Sequence, residues 1–370
     1  MPPSLNDPVS ARSSLGSAAT LGLCFQPSAD TPHQAQEIMT TTSSKAGQAR
    51  VTRASSPVVV SIVVNFRGLA ETRVCVASLL AVDYADHEIV IVDNDSGGGE
   101  AAALEGEFGG GEFAGRVRVI ASERNLGYGG AANLGLELAL ERGATYAWVL
   151  NNDTVIDRDC VRALVDAMAA EPEFGASSPV IDAPIGPEAP NGIWYAGGTA
   201  NAARASTRHV LEPIEAGSGL VPTGFVTGCA MFIRCAALSK VGLFWPELFL
   251  YWEDVELCYR LTEAGWKLGV APAAHLTHMV HGSVPSRLAT YYFYRNAVLV
   301  AGRHGHARGA ARAIVALSTR AARRWAACIV KGLRPFPTAE TRGLFAGAAA
   351  VLSGACGLSR RPSSASSADS

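Results

Sequence analysis

An α/β protein with a mostly parallel central sheet flanked by helices is expected from three features of this 370-residue chain. Apolar runs recur between stretches of helical composition. The runs are continuous, without interleaved polar residues, as strands covered on both faces must be. They end on polar residues, Asn65, Asp93, Asn125 and the trio Asn151, Asn152 and Asp153, at the strand ends where open parallel sheets hold their ligands. Composition agrees, since 48% hydrophobic and 17% charged residues supply a large core and exclude a chain disordered throughout.

Residues 1–56 are rich in Ser, Thr, Ala and Pro, with Phe25 the single aromatic, and this predicts a disordered tail. Residues 58–64 and 88–92 read as buried strands around a helix at 71–81, a βαβ opening. The cycle repeats with a strand at 117–121, a helix at 130–142 and a strand at 146–150. Beyond 173 the chain turns Gly- and Pro-rich, then resumes with a strand at 224–234 and a helix at 251–264, where mixed topology is expected. Residues 289–332 read as helical, with Ile314, Leu317, Ala321, Trp325, Cys328 and Ile329 on one face and Arg312, Arg320 and Arg323 opposite. The expected plan is a tail at 1–56, one α/β domain at 57–285, a basic helical extension at 286–335 and a weakly ordered segment at 336–370.

The net charge of −2 gives no reason to expect nucleic acid as a partner. The balance is uneven, however, because residues 264–339 hold no Asp or Glu but two Lys and nine Arg. That basic amphipathic helix suits peripheral contact with an anionic membrane at its inner face, and a solvated Arg face packed on the α/β body is the competing reading. Eight cysteines without a CxxC pair speak against zinc or a disulfide framework and fit buried thiols in a reducing compartment. Residues 13–29 make a poor signal peptide, and no run reaches the roughly 18 apolar residues of a membrane span, so a cytoplasmic location is expected.

Five clusters carry chemistry. Asp93 and Asp95 follow the second strand, where a carboxylate accepts from a nucleobase imide or ribose hydroxyl; turn closure or helix capping is the plainer role. The glycine turn at 124–133, with Asn125, Gly127, Gly130 and Asn133, allows close backbone approach to an anionic phosphate at a helix start. It also meets the GxGxxA form of a dinucleotide fingerprint through Gly127, Gly129 and Ala132, but after the third strand instead of the first. Asp153, directly after a buried strand, suits a divalent cation, Mg2+ or Mn2+, shared with a diphosphate, and pure capping is the competing role. Glu253 and Asp254 sit among aromatics that suit a sugar, while Glu256 and Arg260 read as an ordinary ion pair worth about a few tenths of a kcal/mol. Of His275, His278 and His281, one residue completing the cation site begun by Asp153 fits better than a three-His zinc centre, with three structural or surface histidines as the plainer alternative.

Taken in order, Val60-Ser-Ile-Val-Val-Asn65, Ile91-Val-Asp-Asn-Asp-Ser96, residues 125–133, Leu150-Asn-Asn-Asp-Thr154 and Trp194-Tyr-Ala-Gly-Gly198 form one carrier set. With residues 227–234, Gly242-Leu-Phe, 249–260 and 291–296 they resemble an inverting glycosyltransferase of family 2, in its rhamnosyltransferase-like branch. The resemblance implies the nucleotide-sugar-binding GT-A fold and hexosyltransferase-type chemistry of cell-wall or cell-surface polysaccharide synthesis. One sugar, rhamnose included, would pass from a UDP- or dTDP-sugar to a hydroxyl of a glycan or lipid-linked acceptor.

By the same resemblance Asp254 is the general base with Glu253 beside it, and Asp93 contacts the base of the nucleotide. Asn65, Asp95, Asn125, Gly127, Gly130, Asn133 and Asn152 line the nucleotide-sugar site, and Asp153 and His278 hold the metal, with His281 as second choice. Trp194, Gly198, Thr227, Gly228, Tyr251 and Trp252 line the acceptor or sugar pocket. Asn151 stands where the family's metal motif has its first acid, leaving the cation fewer protein charges. Two other classes stay open on the residues alone. One is a dinucleotide-binding oxidoreductase using the GxGxxA turn; the other is a catalytically silent nucleotide-sugar-binding protein, against which the intact Glu253-Asp254 pair speaks.

Overall fold

The structure, a computed structural model, describes residues 56–215, 217, 219–280, 286–330 and 338–353. The first half runs β1 (Val59–Asn65), α1 (Leu69–Leu80), β2 (His87–Asp93), α2 (Glu100–Phe108), β3 (Val117–Ala121), α3 (Gly127–Glu141), β4 (Tyr146–Asn151), β5 (Thr154–Ile156) and α4 (Cys160–Ala170). Six strands follow in the second half: β6 (Phe174–Asp182), β7 (Ile193–Tyr195), β8 (Gly198–Asn201), β9 (Ser206–His209), β10 (Val221–Pro222) and β11 (Ala230–Arg234). The chain then forms α5 (Cys235–Val241), α6 (Glu253–Glu263), β12 (Lys267–His278), α7 (Ser286–Val330) and α8 (Thr338–Leu352).

The main sheet is ordered β10-β12-β6-β11-β4-β1-β2-β3, with β5 added on β12 and β7 on β6, while β8 and β9 form a separate ribbon. Strand β1 pairs in parallel with β2 and β4, and β3 extends the parallel half beyond β2. All seven residues of β1 are buried, which is why its sequence is an unbroken apolar run apart from Ser61 and Asn65. Helix α3 lies so close on this strand that a Cβ at Gly135 would overlap the Ile62 side chain. Strand β11 enters antiparallel between β4 and β6, making the sheet mixed. Cys75, Cys160, Cys229, Cys235 and Cys258 are buried free thiols.

Several elements differ from expectation. The Gly- and Pro-rich text after 173 begins with β6, a central strand with eight of nine residues buried. Pro179 lacks an N–H, and the parallel ladder between β6 and β12 shifts register just past Ala271, its partner. Strand β12 carries His275 and His278 where no strand was expected, because Gly269 and Pro272 mask its apolar pattern. The strand expected at 224–234 is only β11, and α6 starts at Glu253 because Tyr251 and Trp252 both have positive φ. Residues 1–55, 354–370 and His281 lie outside the described residues.

Helix α7 is broken at His306 (φ 53°, ψ −160°), so the basic extension is two helical pieces. Leu317 is buried and Arg312 and Arg323 are exposed, as the helical pattern requires, but the Arg320 guanidinium donates to the carbonyls of Ala205 and Arg204. Within the segment expected to be weakly ordered, α8 packs against α7 through Gly343 and Gly347, whose missing side chains let it approach the Tyr291 and Arg295 carbonyls. Among the described residues no helix is long and apolar enough to cross a membrane.

Glu256 and Arg260 are not the ordinary exposed pair expected from their spacing. Glu256 is 0% exposed. It accepts from Arg260 Nε at 2.9 and 3.0 Å, and Arg303 Nε and His304 Nε2 of α7 lie 3.2 and 3.4 Å from its Oε1. The seam between α6 and α7 is therefore a buried ionic network.

Candidate active site

Parallel pairing of β1 with β2 sets Asn65 directly beside Asp93 at the sheet edge. The Asn65 amide donates to Asp93 Oδ1 at 2.6 Å, and its Oδ1 accepts from Thr72 Oγ1 at 2.7 Å. Its Nδ2 is also 3.0 Å from Ser96 Oγ and 2.9 Å from Glu100 Oε2. Asn65 thus holds the Asp93 carboxylate in place more than it offers a free polar edge. Asp95 follows with φ 62°, half-buried at the same edge.

Asn94, unremarked in the sequence reading, joins this edge to the glycine turn. Its Nδ2 donates to Asn125 Oδ1 at 3.1 Å, and its Oδ1 accepts from the Leu126 N–H at 2.8 Å. Asn125 Oδ1 in turn accepts from the Gly127 N–H at 2.9 Å. Gly127 sits at φ 74°, and a Cβ there would collide with the Phe249 carbonyl. That docking accounts for the first glycine of the dinucleotide-like pattern by packing.

Asp153 and His278 come together by strand pairing. Strand β5 runs antiparallel to β12 with His278 opposite Thr154, and His278 Nε2 lies 3.1 Å from Asp153 Oδ1. His278 is 7% exposed and Asp153 9%. The Trp194 ring meets the imidazole edge-to-face at 4.6 Å, and His278 Nδ1 is buried without a partner among the described residues. One carboxylate and one imidazole fit a divalent cation that draws its other ligands from phosphate and water, and no cluster of three or more candidate ligands occurs among the described residues. His275 is engaged elsewhere, with Nδ1 3.1 Å from Asp182 Oδ2 and Nε2 3.2 Å from the Pro272 carbonyl.

The acid pair opens α6. Asp254 accepts from the Gly228 N–H at 2.9 Å and the Val255 N–H at 2.7 Å, and Thr227 Oγ1 accepts from Cys229 N at 3.3 Å in the same turn. Burial raises the pKa of both acids; the Asp254 charge raises Glu253 further, and its Oε2 is buried without a partner among the described residues. Tyr128, also missed, donates its O–H to the Gly228 carbonyl at 2.7 Å. Its phenol is raised well above the usual range, first by burial and then by Cys229, Glu253, Asp254 and Asp153. One side chain therefore senses both the acid pair and the metal-ligand candidate. The only sequence signal for it was an aromatic hydroxyl inside a glycine turn.

Other expected site residues brace the scaffold. Asn133 brackets the Phe244 backbone, donating to its carbonyl at 2.9 Å and accepting from its N–H at 3.0 Å. Asn152 donates to Gly68 O at 3.2 Å and Thr72 Oγ1 at 3.0 Å. Gly130 is buried beneath Leu126, and Gly198 lies against Phe225 in the β8–β9 ribbon. Trp252 is 3% exposed with its ring 5.5 Å from that of Phe293, so it is core and not a sugar wall; Tyr251, 38% exposed, is the accessible aromatic. Trp194 is half-buried between the rings of His209 and His278.

Residues 61–242 match the family model described as glycosyl transferase family 2. An N-acetylglucosaminyl-diphospho-decaprenol L-rhamnosyltransferase of Mycobacterium tuberculosis is 28% identical over 261 residues, covering 62% of this chain and 79% of the relative. A low-salt glycan biosynthesis hexosyltransferase of Haloferax volcanii, Agl10, is 24% identical over 192 residues, covering 50% of this chain and 59% of the relative. Among solved structures, GalNAc-T7 with UDP, GalNAc and Mn2+ superposes with a TM-score of 0.52 at 17% identity, over 65% of this chain and 48% of that one, a likeness of fold.

Proposed function

This chain belongs to glycosyltransferase family 2 through its GT-A domain, and on that premise we propose that it transfers a single sugar, rhamnose foremost, with inversion, from a UDP- or dTDP-sugar to a hydroxyl of a lipid-linked glycan. The observation that carries this reading is Tyr128, hydrogen-bonded to the carbonyl of Gly228, whose N–H holds Asp254, and raised by burial and further by the charges of Glu253, Asp254 and Asp153. One displacement needs both a proton acceptor and a cation site for the diphosphate, and the charges of the residues proposed for both act on this one phenol.

In this reading Asp93, steadied by Asn65, accepts from the nucleobase, and Asn94 ties that edge to the turn facing the phosphates. Asp254 takes the proton of the acceptor hydroxyl as its oxygen attacks the anomeric carbon. Burial lifts that carboxyl toward neutrality and makes it a better base, a contribution of about 10²- to 10⁴-fold. The Gly228 N–H holds the carboxylate in orientation. A divalent cation held by Asp153 and His278, Mn2+ or Mg2+, would supply charge neutralisation on the departing diphosphate. The lipid-linked acceptor is suggested by the name of the mycobacterial relative, and the exposed Arg312 and Arg323 suit an anionic membrane surface.

A thermal-shift panel of UDP- and dTDP-sugars with and without Mn2+ tests the reading. A shift that needs nucleotide and cation together, and is lost in Asp153→Asn and His278→Ala, is the expected result. Stabilisation by NADH but by no nucleotide sugar would move the chain to the oxidoreductase reading.

A further inference from the structure

The segment that leads into the acid pair is held in an unfavourable backbone conformation. Phe249, Tyr251 and Trp252 have φ of 65°, 67° and 74°, a region in which side-chain-bearing residues cost about 1–3 kcal/mol each and which persists only where the surroundings over-determine it. On one side the Tyr128 N–H donates to the Phe249 carbonyl at 2.7 Å. On the other side the hold comes from α7.

Asn296 is 0% exposed, and its Nδ2 lies 2.7 Å from the Leu248 carbonyl, 2.8 Å from that of Leu250 and 2.9 Å from that of Tyr251. An amide NH2 has two protons, so three carbonyls share them and all turn inward toward one side chain. The Asn296 Oδ1 accepts from Arg295 Nη1 at 2.7 Å, and the same Nη1 donates to the Glu247 carbonyl at 2.9 Å. Ring packing of Tyr292 on Phe249, at 4.9 Å, completes the grip. The Leu248 carbonyl also accepts from the Leu250 N–H at 2.7 Å, whereas the part-buried carbonyls of Leu250 and Tyr251 take their donors from Asn296. A carbonyl withdrawn from water without a donor is unfavourable by about 1–3 kcal/mol, so these two hold the turn to α7.

We propose that Asn296 is a positioning residue for sugar transfer, which by fixing the carbonyls of Leu248, Leu250 and Tyr251 sets where α6 begins and where Asp254 stands. The proposal rests on reading Asp254 as the proton acceptor. It makes the helical extension part of the catalytic unit. The donor edge has its own brace, Asn65 with Asp93 and Thr72, which Asn296 does not touch. Loss of the Asn296 donors is therefore expected to act on turnover and to spare nucleotide binding.

The test uses the full chain with Asn296→Asp, which keeps the volume and removes the donors, Arg295→Gln, which loosens the same turn from a more exposed position, and Asp254→Asn. Binding of UDP and dTDP with Mn2+ is measured by calorimetry. The kcat and KM of hydrolysis or transfer are measured with the nucleotide sugar that the unaltered protein turns over. For Asn296→Asp the expected result is a kcat lowered by about 10²-fold, the scale of a displacement near 1 Å, with nucleotide affinity and donor KM nearly unchanged. Arg295→Gln is expected to show the same split at smaller size, and it stands as the test should Asn296→Asp not fold. Unchanged kcat beside an inactive Asp254→Asn would overturn the positioning role, as would nucleotide affinity falling in step with kcat. An active Asp254→Asn would instead overturn the underlying reading of the base.

Discussion

Helix α6 carries Glu253, Asp254 and Glu256 within one turn, and its two faces treat these acids in opposite ways. On the site face, burial dominates and raises Glu253 and Asp254, and the Asp254 charge raises Glu253 further. On the α7 face, burial alone would also raise Glu256, but the His304 hydrogen bond and the charges of Arg260 and Arg303 outweigh it and hold the carboxyl below its usual range. Equal side chains a few residues apart thus acquire opposite proton affinities. Residue type does not decide it; the groups that the neighbouring element brings to each face do. The site face holds two carboxyls raised by burial, and the seam face secures the helix that presents them.

The largest expected effect on this contrast is in rate. Asp254→Asn should lower transfer by about 10²- to 10⁴-fold while leaving Mn2+-dependent nucleotide binding intact, which a rate assay beside calorimetry reads directly. Near-normal turnover would remove the site face from catalysis.

Next comes stability at the seam. Glu256→Ala leaves Arg260, Arg303 and His304 facing an emptied, buried position, and equilibrium urea unfolding should show a loss of about 3–5 kcal/mol. A loss within about 1 kcal/mol, the range of an exposed pair, would erase the distinction between the faces.

The smallest effect is in the pH dependence of stability, where the faces differ in sign. Glu253 is raised in the folded protein, so its contribution is present below the unfolded value and is lost as pH rises through the folded one. Glu256 is lowered, so its contribution is present above the unfolded value and is lost as pH falls through the folded one. Urea midpoints followed across pH should therefore flatten on the alkaline side in Glu253→Gln and on the acid side in Glu256→Gln. The same flank responding in both variants would show that the two acids share one environment.

Much of the polar sheet edge was legible in the sequence. Apolar runs ending at Asn65, Asp93 and Asn151 announce parallel strands and the edge they share, because a strand buried on both faces writes its burial into consecutive residues. Strands β6 and β12 were not legible. Their apolar pattern is interrupted by Pro179, Gly269 and Pro272, and they become strands by pairing with each other across about ninety intervening residues and with β11, β10 and β5 from elsewhere in the chain.

The chain alone determined the α/β class, the parallel half of the sheet and the pool of polar residues from which a site is drawn, since these follow from local burial patterns. Only the tertiary structure decided what each residue does. It turned Asn133, Asn152 and Trp252 inward as braces, set His278 against Asp153 through the β5–β12 pairing, and hung the strained turn before Asp254 on Asn296. A hydrogen bond or strand pairing between distant segments leaves no periodic trace in either of them, so it exists only once both have been packed into place.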